Sequence, residues 1–307
     1  MLRFIILRFL QTILALFGIM VMVFFLVRAS GDPTVLMRSS TSTPEQMAII
    51  QHKLGLDKSY AEQFWIYLKD YTRGDFGYSF IQQRPVVTMI KEALPNTLKL
   101  GIPSFVIGML LSLSLGVLAA TRRDSIFDNG IKFLAVLGQA LPGFWVAIMA
   151  VLIFSVHWKL LPAAGMDSPI NYVLPVGTMV FFMLPMMMRL VRSSMLDVLD
   201  SEYVKLARIK GLPERVVIWK HAFRNALISP LTTAGMMLAG MVGGAIITEN
   251  IFNWPGMGRL AISSTFSRDF PVVQTITILV AIIVLGMNLL VDISYAYVDP
   301  QIRYQKS

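Results

Sequence analysis

Apolar positions gather into six runs free of charged side chains: Phe9 to Val27, Leu100 to Thr121, Phe133 to Val156, Ser168 to Met188, Asn225 to Thr248 and Phe270 to Val291. Each has about the ~20 residues that a helix needs to cross the hydrocarbon core. The pattern predicts an all-α polytopic membrane protein with six transmembrane helices, and an even count puts both chain ends on one side. The first run is basic-led and followed by the small residues Ala29, Ser30 and Gly31. Its apolar core exceeds the ~7–15 residues of a signal-peptide core, so it reads as a retained span. The expected organisation is a first span at 1–28, an extramembrane segment at 29–98, a five-helix core at 99–293 containing a loop at 189–230, and a tail at 294–307.

Polar stretches between the runs carry patterns of their own. In segment 29–98, Met47, Ile50 and Leu54 follow Pro44 and Glu45 at helical spacing, and Phe64, Tyr67 or Leu68, and Tyr71 follow Asp57 and Ser59 likewise, predicting two short amphipathic helices. GDFGYSF at 74–80 supplies turn glycines and aromatics for an ordered turn. Between the fourth and fifth runs lies SEYVKLARIKGLPERVVIWKHAFRNAL, residues 201–227. At ~100° per residue Tyr203, Leu206 and Ala207 share one arc, and Lys205 and Arg208 another. Ser201 suits an N-cap beside Glu202, and Gly211 can take φ > 0 and stop the helix. Pro213 at a first helical position and Glu214 then open a second helix, in which Val216, Trp219, Phe223 and Leu227 repeat at helical spacing. Two helices should meet at a tight elbow. It spends over thirty residues where a connector needs few, and its apolar faces, Trp219 and Phe223 included, imply a protein partner.

Composition agrees with the pattern: 55% hydrophobic residues, 15% charged and a mean hydropathy of +0.65 are far from a soluble domain. Charge then orients the spans. Arg3 and Arg8, the loop with Arg122, Arg123 and Lys132, eight Lys or Arg residues from Arg189 to Arg224, and Arg303 with Lys306 all belong to one side, whereas the opposite short loops hold Lys159, Arg259 and Arg268. By the positive-inside bias the first set, with both termini, is cytoplasmic. The formal charge of +9 is then a membrane signature, and nucleic acid is not an expected partner. Pro103, Pro142, Pro175, Pro185 and Pro230 punctuate the spans, more in the manner of kinked packing helices than of a pathway.

EYVKLARIKGL followed by HAFRNAL resembles the EAA loop of ABC-importer permeases. GDFGYSF, ALPNTLKLG at 93–101, PGFW at 142–145, LP with a following Gly at 161–165, ENIFNWPGMGRL at 249–260, RDFP at 268–271 and VDISYAYVDPQIRY at 291–304 continue the likeness. In that order they resemble the dipeptide, oligopeptide and nickel permease family over nearly the whole chain. The three positions of the EAA triplet hold Lys205, Leu206 and Ala207, so only the Ala and the later Gly211 survive from the general form. The resemblance implies a permease of the bacterial inner membrane, forming half of a channel with a homologous second permease. It also implies two ABC ATPase subunits holding ATP and Mg, a periplasmic solute-binding protein and membrane lipid as partners. It places the coupling contact to the ATPase on Glu202, Tyr203, Leu206, Ala207, Arg208, Gly211 and Leu212, with His221, Arg224 and Asn225 as support. Cargo is expected to be di- or oligopeptides, with nickel or metal chelates, glutathione and opines as alternatives. Alternating access would move it.

Other residues carry candidate chemistry. Glu249, Pro255, Gly256 and Gly258 are a possible periplasmic gate, though Glu249 as a cap or local ion-pair partner is the plainer reading. Asp292 and Asp299 read as interfacial caps and turn formers. His52, His157 and His221 have no metal-ligand spacing, there is no cysteine, and no phosphate loop or nucleophile elbow occurs. No metal or cofactor is therefore expected in this chain, and it should not be an enzyme. An ion-coupled secondary transporter would place acidic or His residues inside the spans; the six runs hold none.

Overall fold

The long helix Val173–Leu199, here α6, is the axis on which the other elements assemble. The computed structural model describes residues 2–29, 57–79 and 81–298, with backbone alone at 2, 4, 239, 242–244 and 294–298. In chain order it contains α1 (Leu2–Ala29), α2 (Tyr60–Thr72), a two-residue antiparallel pair β1 (Tyr78–Ser79) and β2 (Arg84–Pro85), α3 (Val86–Thr121), α4 (Ile126–Ala140), and α5 (Gly143–Ala150) prolonged by π turns at Val151–His157. A 3-10 turn, Pro169–Tyr172, leads into α6; α7 (Glu202–Ile209), α8 (214–226), α9 (Ile228–Ile251), α10 (Met257–Phe266) and α11 (Phe270–Val298) complete the chain.

The all-α class holds, but the six runs are not six simple spans. Among the described residues four helices are long and apolar enough to cross a membrane: Ile5–Ala29, Val86–Thr121, Pro169–Leu199 and Phe270–Ile293. The run Phe133 to Val156 is broken, α4 and α5 meeting at 101°. The cause is local: Leu141, preceding Pro142, is extended at φ −90°, ψ 129°, because a residue before proline is driven out of the α region and proline has no N–H to continue the ladder. Pro103 and Pro185 lie within α3 and α6, whereas Pro175 and Pro230 fall in the first turns of α6 and α9, where a missing N–H costs nothing. The fifth run corresponds to α9, a continuous helix of 24 residues.

Outside the spans, α2 forms where the Phe64 repeat predicts it, started by a capping box between Ser59 and Glu62. The helix expected around Met47, like His52, Asp299 and the basic tail, lies outside the described residues. The boundary drawn at 98/99 falls inside α3, which begins at Val86 and runs on without interruption. GDFGYSF is pinned rather than merely turned: buried Ser79 hydrogen-bonds Asp269 of RDFP. The Tyr71 hydroxyl shares a 2.9 Å hydrogen bond with Thr275 of α11. Asp292 is no cap; it sits within α11 and pairs with Arg8 of α1 at 3.2 Å.

Candidate functional site

The elbow is built from two short helices whose ends are set by their own residues. Ser201 precedes α7, but its hydroxyl donates back to the Val198 carbonyl and does not cap. The stop is a Schellman turn: Gly211 N–H donates to the Arg208 carbonyl at 2.9 Å and Leu212 N–H to that of Ala207 at 3.3 Å, with Gly211 at φ +76°. Pro213 is itself the N-cap of the next helix, one position earlier than the sequence pattern placed it, and Glu214 opens the first turn. Across the turn Arg208 grips Glu214 with two hydrogen bonds, 2.7 and 3.2 Å. These hold the Glu214 carboxyl below the usual carboxylate range.

Packing divides the elbow into an inner and an outer side. Val204 (0% exposed) and Ala207 (6%) face inward with Val217, Ala222 and Ala226, joining one cluster with Val117 and Ala120 of α3, Met195 and Leu199 of α6, and Ala234 of α9. Between Val217 and Ala222 the backbone is a π turn, whose extra residue keeps both on the inner side. The arc expected to hold Tyr203, Leu206 and Ala207 is thereby split: Ala207 turns in, Tyr203 and Leu206 turn out. Leu206 (55%), Ile209 (79%) and Trp219 (51%) are exposed, and Tyr203 and Leu212 are open as well. Phe223 packs half-buried on the core, edge-on to Trp219. Asn225 holds the two arms together, donating 2.9 Å to the Tyr203 hydroxyl and 3.0 Å to the His221 carbonyl. Lys205 pairs with Glu202 at 2.8 Å, and Arg224 is exposed. Ile209, absent from the expected contact residues, is the most exposed of the apolar set. Its signal was the position two residues before the helix-stopping glycine.

At the other end of α9 lies a second constellation. Glu249 is fully buried. Its carboxylate accepts from the Thr97 hydroxyl at 2.7 Å, from Gly258 N–H at 2.7 Å and from Arg259 N–H at 3.1 Å. Those amides are orphan donors in the first turn of α10, so an anion capping a helix N-terminus is favourable there by about 0.3–2 kcal/mol. Met257 N–H donates to Thr97 at 2.8 Å, Trp254 Nε1 to the Asn96 carbonyl at 2.8 Å, and Asn96 Nδ2 to the Pro255 carbonyl at 3.0 Å. A Cβ on Gly256 would collide with the Glu249 carboxylate. ALPNTLKLG and ENIFNWPGMGRL are separate motifs along the chain; the fold makes them one lock across α3, α9 and α10. A cleft of about 390 Å³ opens beside it, lined by Arg84, Glu92, Asn96, Pro255, Gly256 and Arg259 among others, with Arg84 and Glu92 paired at 2.7 Å. Among the described residues no cluster of His, Asp or Glu could hold a metal ion.

A family model described as binding-protein-dependent transport system inner membrane component matches residues 112–304, and the model of that component's N-terminal part matches residues 1–101. A Brucella abortus (strain 2308) protein, provisionally named a peptide transport system permease protein, is 38% identical over 306 residues, covering 97% of this chain and 98% of the relative. Glutathione transport system permease protein GsiC of Escherichia coli (strain K12) is 37% identical over 306 residues, covering 99% and 100%. Among solved structures, an amino acid ABC transporter chain superposes with TM-score 0.56 at 17% identity, over 69% of this chain and 95% of its own. The inward-facing MetNI methionine ABC transporter does so at 0.56 and 16%, over 69% and 97%. At that identity the two structures speak for the fold.

Proposed function

Since the chain belongs to the family of inner membrane components of binding-protein-dependent transport systems, a multi-pass permease of an ABC importer, we propose that it carries di- and oligopeptides, glutathione-like tripeptides included, from periplasm to cytoplasm. The names of its relatives support that cargo class. In this reading it pairs with a homologous second permease, two ATPase subunits that bind ATP and Mg, and a periplasmic binding protein. The elbow and both termini lie in the cytoplasm. ATP binding in the partners drives alternating access, and the chain itself is not the catalyst.

The observation that carries the reading is the two-sided elbow. Val204, Ala207, Val217, Ala222 and Ala226 anchor it to the ends of three long helices, while Tyr203, Leu206, Ile209, Leu212 and Trp219 form an apolar outer face. A solvated connector has no use for that face; an ATPase groove does, and a push on it is passed to α3, α6 and α9. Gate residues Pro255 and Gly256, beside the cleft, would border the periplasmic mouth, with Glu249 and Gly258 as the lock behind them. The test is Leu206→Asp with Trp219→Ala in a tagged permease, purified from detergent extract of its native host. The expected result is normal permease yield with loss of most co-purified ATP hydrolysis and of uptake of labelled di- and tripeptides. Full ATPase recovery would refute the docking assignment, and uptake of none of these peptides by the wild type would refute the cargo.

A further inference from the structure

Beyond the elbow, the structure holds a buried ion cluster that the transport reading does not use. Asp128, in the first turn of α4, is fully buried. Its two oxygens accept from Arg192 Nε at 2.6 Å and Nη2 at 2.9 Å, from Lys132 Nζ at 2.8 Å and from the Asp124 N–H at 3.0 Å. Arg192 belongs to α6, about two helical turns before its end at Leu199, and Ser201 already leads into α7. The same helix meets the bent pair again in reverse order along the chain. Arg189 Nη1 donates to Gln139 at 3.1 Å, and a Cβ on Gly138 would collide with Pro185 and one on Gly143 with Phe182. From Asp128 to Gly143, across the 101° break, α4 and the start of α5 are fastened along α6.

Stability alone is a poor reason for the charged fastener, because a buried ion pair often does no better than apolar packing once desolvation is counted. Geometry is a better one. Apolar helix contacts tolerate sliding and rotation, whereas a two-pronged guanidinium–carboxylate contact fixes both. It sits at the end of α6 adjoining the elbow, where a push on α7 would first make α6 slip against α4.

We propose that Asp128 and Arg192 are positioning residues for transport: their contact makes the bent pair α4–α5 move as one body with α6, so that displacement of the elbow reaches the membrane helices. This rests on the docking assignment of the elbow. Lys132, on the same helix as Asp128, divides its charge between Asp128 at 2.8 Å and Asp124 at 3.7 Å.

The chain has no cysteine, so Asp128→Cys with Arg192→Cys introduces its only two thiols, and the chain is cross-linked before its partner subunits are added. The variant is assembled with its partner subunits in proteoliposomes. An equimolar mixture of labelled di- and tripeptides that includes glutathione is supplied with the binding protein. The expected result is continued ATP hydrolysis with peptide moved per ATP reduced roughly 2- to 30-fold, the range in which residues remote from ligands alter coupling. Joining the two thiols with dibromobimane restores the ratio. Arg192→Lys, which keeps the charge and loses the fork, shifts the ratio in the same direction and decides the matter if the double variant fails to assemble. A merely structural role lowers hydrolysis and uptake together and is indifferent to cross-linking. A wild-type ratio in Arg192→Lys, or no recovery on cross-linking, overturns the proposal. Absence of ATP-driven uptake in the wild type overturns the transport reading itself, and this inference with it.

Discussion

Gly211→Val isolates the shape of the elbow from everything else. Gly211 sits at φ +76°, and no heavy atom other than its chain neighbours lies within 4 Å of where a Cβ would stand. The cost of a side chain there is thus conformational, not steric. A left-handed backbone costs an L-residue roughly 1–2 kcal/mol, and a β-branched residue falls at the upper end or beyond. At ~1.4 kcal/mol per tenfold, valine lowers the weight of this turn by about thirtyfold relative to glycine. Relief requires giving up the Gly211 and Leu212 hydrogen bonds to Arg208 and Ala207, which redirects α8 and breaks the Arg208–Glu214 grip. Asparagine, which tolerates the left-handed region, should be nearly silent, and alanine intermediate. The assay is binding-protein-stimulated ATP hydrolysis and peptide uptake in proteoliposomes at matched permease content. The expected order of activity is Gly, then Asn, then Ala, then Val, with normal insertion throughout. Wild-type values for both activities in Gly211→Val would refute the coupling role of residues 202–211.

The buried lock predicts a stability effect. Glu249→Ala removes the acceptor for Thr97 and two helix amides, at about 1–3 kcal/mol for each buried group left unpaired, so the detergent-solubilised protein should melt several degrees lower; an unchanged midpoint would deny the lock. The elbow grip predicts a pH effect of definite sign. Because Arg208 lowers the Glu214 pKa in the fold, its contribution is present above the unfolded value and lost as pH falls through the folded one. Proteolysis at the turn should accelerate in that acid range in wild type but not show this dependence in Glu214→Gln, and identical profiles would refute it; the pair's exposure keeps the effect small. Topology predicts that Ser59→Cys is labelled by an impermeant thiol reagent on intact cells and Ser201→Cys is not, with the reverse pattern overturning the orientation.

Much of the elbow could be read along the chain. Helix periods, the stop at Gly211 and the restart near Pro213 are consequences of φ limits and of proline's missing N–H, both local. The exposed Trp219 was likewise legible, since the paired helices offered more apolar surface than their own contacts could cover. What the local pattern could not place was how the shared arc divides: Tyr203 and Leu206 lie out as a partner contact requires, but Ala207 turns in beside Val204, because the choice depends on where the ends of α3, α6 and α9 leave room. The π turn at Val217–Ala222 shifts the register by a residue for the same reason.

The sequence by itself determined that this is an all-helical membrane protein with a structured polar island, because hydrophobic runs and basic flanks act through solvent and need no partner segment. Only the tertiary structure decided the pairings: Glu249 with Thr97 and the α10 amides, Ser79 with Asp269, Asp128 with Arg192. Each joins residues 64 or more positions apart, apart from the α10 amides nine and ten residues beyond Glu249. A lone polar residue in an apolar stretch announces that it must be satisfied when buried, but its partner is chosen by helix packing. The residue before Pro142 has a local reason to leave the helix, but that the run breaks at 101° rather than kinking as one span is seen only in the fold.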